Sequence, residues 1–158
     1  MLVGTTMRAP DAISGGMGEC YVTIENRRVK LIQLINVEVK FDKNKTKIPI
    51  LGKTGKGNKA TGWEGTGSAT IHMNTSMFRE LLYKYKETGQ DIYFDMQVTV
   101  DDPTSSAGIQ TTILKDCNLD GGILAKLDAD ADYLDEEISF TYEDFELPNK
   151  FKDLPGMV

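Results

Sequence analysis

Residues 28–41 read RVKLIQLINVEVKF, and their pattern decides the fold class. Val29, Leu31, Ile35, Val37, Val39 and Phe41 take odd positions and are apolar. Lys30, Asn36, Glu38, Lys40 and Asp42 take even positions and are polar. A period of two marks a strand with one dry face. The run exceeds an ordinary strand of about 5–6 residues. Fully extended at about 3.3 Å per residue, it spans on the order of 40 Å. A strand that long either bends between two sheets or protrudes from its domain. Ile32 and Leu34 break the alternation, which predicts a stretch covered on both faces.

The surrounding chain extends this β pattern. Residues 18–24 alternate, with Cys20, Val22 and Ile24 on one face, and Asn26–Arg27 reads as a tight turn into the long strand. Further alternating runs cover residues 67–73, 92–100, 109–119 and 136–145. The run 109–119 puts Ile109, Thr111, Ile113, Cys117 and Leu119 on one side, and residues 123–127 make a short strand candidate. One helix is predicted over residues 77–88, with Thr75 or Ser76 as its cap and Gly89 as its stop. Its stripe of Met77, Phe78, Leu81, Leu82 and Tyr85 reads as core packing. The fold class is mainly β: an antiparallel β-sandwich or barrel with one flanking α-helix.

A chain of 158 residues suits one domain spanning 1–158. Within it, residues 1–16 read as a flexible N-terminal arm without the apolar core of a signal peptide. Residues 43–66 read as a long, mobile Gly/Lys-rich hairpin loop, and residues 148–158 as a C-terminal tail, loose or docked on a neighbour. No apolar run approaches the roughly 20 residues of a membrane helix. Cys20 and Cys117 read as reduced, buried thiols of a cytoplasmic product.

The formal net charge is −6, against a nucleic-acid binder, which is normally basic. Residues 1–62 hold eleven Lys and Arg against five Asp and Glu, a balance of +6. Residues 63–158 hold seven against nineteen, a balance of −12. Either the fold mixes the two halves, or copies of the chain attract one another head to tail.

Two motifs invite chemistry and do not support it. GKT at residues 52–54 lacks the Walker loop's first glycine, whose place is taken by Lys47, and a proline precedes it. Asp128, Asp130 and Asp132 open like a calcium loop. Its sixth position is Tyr133 instead of glycine, and its twelfth is Ser139 instead of glutamate. A solvated acidic turn is the reading that remains. The lone His72 has no second ligand at metal spacing. No catalytic constellation is evident, so the chain reads as no enzyme, without cofactor or metal.

Four stretches together carry a resemblance: AISGGMGECYV from residue 12, LGKTGKGNKATGWEGTGSAT from 51, DDPTSSAGIQTTILKDCNLDGG from 101, and LDADADYLDEEISFTYEDFELP from 127. In this order and spacing the chain resembles the XkdM-like, PBSX-type tail tube proteins of contractile phage tails and R-type bacteriocins. The resemblance implies the phage tail-tube fold and hexameric rings that self-assemble, stacking into a hollow conduit for DNA or ions. It implies a place in the tail of a phage or bacteriocin particle assembled in the host bacterial cytoplasm. The implied partners are other copies of the chain and the sheath, tape-measure and baseplate proteins. DNA passage without specific binding is implied, and direct membrane insertion is not. In this reading Lys53, Lys56, Lys59, Trp63, Asp128, Asp130 and Asp132 are inter-ring or inter-subunit contacts. The alternative is a monomeric β-sandwich binding module for a ligand or protein, its long strand bent within one domain.

Overall fold

A computed structural model describes residues 6–158. Among them are eight strands: β1 (Gly18–Ile24), β2 (Arg27–Lys30), β3 (Leu34–Ile48), β4 (Gly57–His72), β5 (Phe94–Asp101), β6 (Ile109–Gly121), β7 (Asp135–Tyr142) and β8 (Asp144–Asn149). One α-helix, α1 (Met77–Thr88), lies between β4 and β5 in sequence. The fold is mainly β and antiparallel, as expected. The chain divides into two compact units.

The first unit is drawn from Met1–Ile32, Tyr93–Asp116 and Phe145–Val158. Its strands run in the order β2-β1-β5-β6, and β8 also pairs with β6. Cys20 and Val22 of β1, Met96 and Phe94 of β5 and Leu114 of β6 are all nearly free of solvent, and Val22 lies opposite Met96 in the ladder. Burial pushes the Cys20 thiol up to about 12, so it stays protonated. The β1–β2 turn has left-handed backbone at Glu25 and Asn26, with Ile24 paired to Arg27. The turn centre is therefore Glu25–Asn26 and not Asn26–Arg27. A two-residue hairpin turn needs positive φ at both central residues, and Arg27 already belongs to the ladder.

The long run at residues 28–41 is divided between two strands. β2 ends at Lys30, and a tight turn follows in which the Ile32 N–H donates to the Lys30 carbonyl at 3.0 Å. Leu31 is buried, but Ile32 is 79% exposed, so the stretch expected to be covered on both faces is a turn with one residue in water. Strand alternation alone does not register a local turn of this kind.

The first sixteen residues are also more structured than an arm, as far as they are described; residues 1–5 lie outside the described part. The Asp11 carboxylate accepts from the Ser106 N–H at 2.9 Å and the Ser106 hydroxyl at 2.6 Å. The Ser105 hydroxyl donates to the Asp11 carbonyl, and the Ser14 N–H to the Asp102 carboxylate, both at 2.9 Å. The C-terminal segment docks on the same loop, its Lys152 N–H donating to the Ala107 carbonyl at 2.7 Å.

The second unit comprises Gln33–Ile92 and Cys117–Asp144. Its strands run in the order β6-β7-β4-β3. Ala69 and Ile71 of β4 and Ile138, Phe140 and Tyr142 of β7 form its dry face, with Phe78 and Leu81 of α1 also buried. The helix has the expected bounds. The Thr75 hydroxyl accepts from the Met77 N–H at 3.3 Å, and Gly89, left-handed at φ 71°, donates to the Tyr85 carbonyl at 2.8 Å. Tyr85 itself is 54% exposed, off the packed stripe.

Three sequence expectations need correction. Residues 123–127 form no strand, and Leu124 and Leu127 lie in solvent. β7 ends at Tyr142, and a separate strand, β8, takes Asp144–Asn149. In β6 Leu114 is fully buried rather than Ile113, and Asp116 has φ 53°. The left-handed backbone at Asp116 interrupts the extended conformation on which strict alternation depends.

Candidate assembly surface

β3 and β4 form an antiparallel ribbon, and the residues expected as a hairpin loop are largely part of its ladder. The register runs from Leu34↔Ile71 to Ile48↔Gly57, with a bulge between Asn44 and Lys45. Only residues 49–56 turn, so 43–48 and 57–66 are strand. From Asp42 to Glu64 almost every residue is exposed, and the ribbon's distal part builds no core of its own.

Near its base, the register sorts the ribbon into two faces. Val39↔Gly67↔Phe140 and Phe41↔Gly65↔Tyr142 follow one another on the dry face. Glu38↔Ser68↔Ser139 and Lys40↔Thr66↔Thr141 follow on the wet face, with Asp42↔Glu64 and Thr70↔Glu137 beyond them. The wet face carries Glu38, Asp42, Glu64 and Glu137 against Lys40. It is hydroxyl-rich and acidic.

The dry face holds a three-strand staple. A Cβ on Gly65 would stand 2.4 Å from the Tyr142 ring, and one on Gly67 2.4 Å from the Phe140 ring. The two glycines make room for these rings. Tyr142 thereby crosses β4, and its hydroxyl donates to the Lys40 carbonyl of β3 at 2.7 Å. Burial, then the nearby Asp42 carboxylate and Cys117, raise the Tyr142 hydroxyl above its ordinary range and keep it a donor. Trp63 continues the aromatic row. It stacks on Phe41 at 4.7 Å between centroids and meets Tyr142 at 6.0 Å.

β3 stands at the end of the strand order. Over fifteen residues, one flank pairs with β4, and the other faces away from the ladder. A long sheet edge of this kind is a template for another chain.

The contact residues named from sequence fall in three places. Lys53 and Lys56 lie in the ribbon's turn, and Lys59 on β4 opposite Thr46; all three are exposed. Trp63 sits further down β4, opposite Lys43. Asp128, Asp130 and Asp132 lie in an exposed turn before β7, where the Asp128 carboxylate accepts from the Asp130 N–H at 3.1 Å. The described hydrogen bonds and ion pairs do not join these lysines to these aspartates.

Sequence reasoning missed the staple and a second anchor. The Arg79 guanidinium of α1 donates to the Glu136 carboxylate of β7 and to the carbonyls of Ile123 and Thr75. Glu136 is 4% exposed. The spacing of Gly65 and Gly67 two apart in a strand was a signal for the staple, since strand glycines mark close approach. Nothing local marks Arg79 as paired.

The fold is that of tail tubes. A chain of the cryo-EM structure of the anti-feeding prophage baseplate, 6-fold symmetrised, matches with a TM-score of 0.66 at 12% identity, covering 96% of this chain and 100% of that one. A chain of the sheath–tube complex of the extracellular contractile injection system PVC, in its extended state, matches at 0.64 and 8% identity, over 86% and 90%. The phage tail tube protein family matches residues 5–149, so the chain belongs to that family. It is 37% identical to the phage-like element PBSX protein XkdM of Bacillus subtilis (strain 168), over 93% of this chain and 97% of that protein. The chain is thus a structural subunit of the tail tube type.

Proposed function

We propose that the subunit closes into hexameric rings that stack into a hollow tube. The edge of β3 carries this reading. Among the described residues, β3 stands at the end of the strand order over its fifteen residues. A ring gives that edge a partner by a heterologous contact that closes by rotation. The wet face of β3, β4 and β7 then lines the channel. Glu38, Asp42 and Glu137 against Lys40 repel phosphate, so DNA slides through without binding. The exposed lysines of the ribbon tip and the acidic turn at Asp128, Asp130 and Asp132 form contacts with neighbouring copies. The role is that of a conduit and not of an enzyme. Sheath, tape-measure and baseplate proteins are its further partners, in the tail of a phage or bacteriocin particle assembled in the bacterial cytoplasm.

Negative-stain microscopy of the purified protein tests this. Rings and tubes are the expected result. A monomer at every concentration would instead favour a self-sufficient β-sandwich binding module.

A further inference from the structure

One rung beyond Gly65↔Tyr142, where β7 ends, lies a concavity of about 520 Å3. Trp63, Glu64, Thr66, Thr141, Tyr142 and Glu143 line it. Its wall is aromatic: Trp63 is 38% exposed, backed by Phe41 and tilted against Tyr142. Glu64 and Glu143 are both exposed and line the same opening. An aromatic wall beside carboxylates holds an alkylammonium: the stem lies on the ring, and the head meets both the ring's negative face and the acids.

The same chain displays such a group. Between Asp42 and Glu64 there is no acid, and the ribbon carries Lys43, Lys45, Lys47, Lys53, Lys56 and Lys59. Its turn is ordered: the Lys53 N–H donates to the Ile50 carbonyl at 3.2 Å, around Gly52 at φ 85°. Glycine at that place is what a type II turn requires. The turn holds Leu51 entirely in solvent, two residues from Lys53. From Trp63 the ladder continues through Gly57 before the turn begins, a span of roughly 20 Å at about 3.3 Å per residue. The tip does not fold back onto its own pocket.

We propose that the pocket beside Trp63 receives the ribbon tip of a second copy, with Lys53 entering between Glu64 and Glu143 and Leu51 lying against Trp63. This rests on the self-assembly reading and names the site where that assembly is read. A positive tip with an apolar apex matches a negative pocket with an aromatic wall.

Trp63 is the chain's one tryptophan and reports on its own pocket. On assembly of the full-length protein, its emission shifts to the blue, and acrylamide quenching falls at least about threefold. The double variants Glu64→Lys/Glu143→Lys and Lys53→Glu/Lys56→Glu each raise the concentration needed for assembly about tenfold. Combining all four substitutions in one chain lowers it again. Circular dichroism melts of the unassembled variants, altered only at exposed positions, verify that each is folded. Tubes in which Trp63 stays as quenchable as in the free subunit overturn the pocket and leave the tube standing. So does protection of Trp63 that arises only when sheath protein is added. A wild-type chain that never assembles overturns both readings.

Discussion

The ring of Tyr142 lies so close over Gly65 that a Cβ at residue 65 stands 2.4 Å from it. Across that glycine the Tyr142 hydroxyl reaches the Lys40 carbonyl, so one side chain of β7 holds both strands of the ribbon. Gly65→Ala forces the ring or the strand to move in a packed interior. Overpacking of this kind costs about 1–3 kcal/mol. At about 2–4 °C per kcal/mol for a chain of this size, the melting temperature falls by several degrees. Gly67→Ala does the same against Phe140. Unchanged melting in either variant contradicts the packing described.

Tyr142 also makes stability sensitive to alkali. Its folded pKa is raised above the unfolded value, first by burial and then by Asp42 and Cys117. The folded state therefore holds this proton more tightly than the unfolded one. The contribution is fully present below the ordinary tyrosine value of about 10 and is lost as pH rises past it. Tyr142→Phe removes the hydrogen bond to Lys40, worth about 1 kcal/mol at neutral pH. It also flattens the loss of stability between neutral and strongly alkaline pH. Denaturant melts at both pH values read the difference, and parallel pH curves for the two proteins would exclude a role for the hydroxyl.

The sequence carried the fold class because strands of a half-buried sheet announce themselves by alternation. β1 has its expected bounds for that reason, and α1 has its own because Thr75 and the left-handed Gly89 mark its two ends. Alternation failed where backbone geometry intervened: at the turn after Lys30, at the left-handed Asp116, and at the step from Tyr142 to β8. The ribbon was read as a loop because glycine and lysine are poor strand formers. In the structure its ladder is completed by pairing rather than by propensity. Of the residues expected as contacts, Trp63 and the tip lysines were legible only as an aromatic and charges within a Gly-rich stretch. Their geometry was not, because it depends on which β7 residue lies opposite each glycine of β4.

The buried ion pair makes a stability prediction. Glu136 is 4% exposed, and its described partner is Arg79. Arg79→Met strands that carboxylate in a dry site and frees the carbonyls of Ile123 and Thr75. Breaking one side of a buried pair costs about 3–5 kcal/mol. The double variant Arg79→Met/Glu136→Leu regains most of the loss, because no buried charge is left alone. Chemical denaturation of the two variants decides it: equal losses in both would mean that the pair is not coupled.

Asp11 gives the opposite pH signature to Tyr142. The Ser106 hydroxyl, then the Ser106 N–H, hold its carboxyl below the ordinary aspartate value. The Asp11 contribution is complete above the unfolded value of about 3.9 and is lost as pH falls through the folded one. Asp11→Asn releases residues 9–14 from the β5–β6 loop and removes part of the acid sensitivity. Amide exchange at Ser106 checks the first effect, since its N–H loses a charged acceptor. Protection at Ser106 that survives the substitution rules out the clamp.

The last test separates folding from assembly. Asn44 pairs with Gly62, and beyond that rung the ribbon is exposed on both faces. Replacing residues 45–61 by the dipeptide Asn-Gly closes the ladder with a two-residue hairpin turn, which that pair favours. No buried side chain is removed, and the Tyr142 staple at Gly65 and Lys40 is retained. The shortened protein folds, with its melting temperature within a few degrees of the full chain, as surface changes away from the core allow. It has lost Leu51, Lys53, Lys56 and Lys59, so it forms no tubes at concentrations where the full chain does. Microscopy and sedimentation read assembly, and thermal melts read the fold. Long tubes from the shortened chain would deny the ribbon any part in joining subunits.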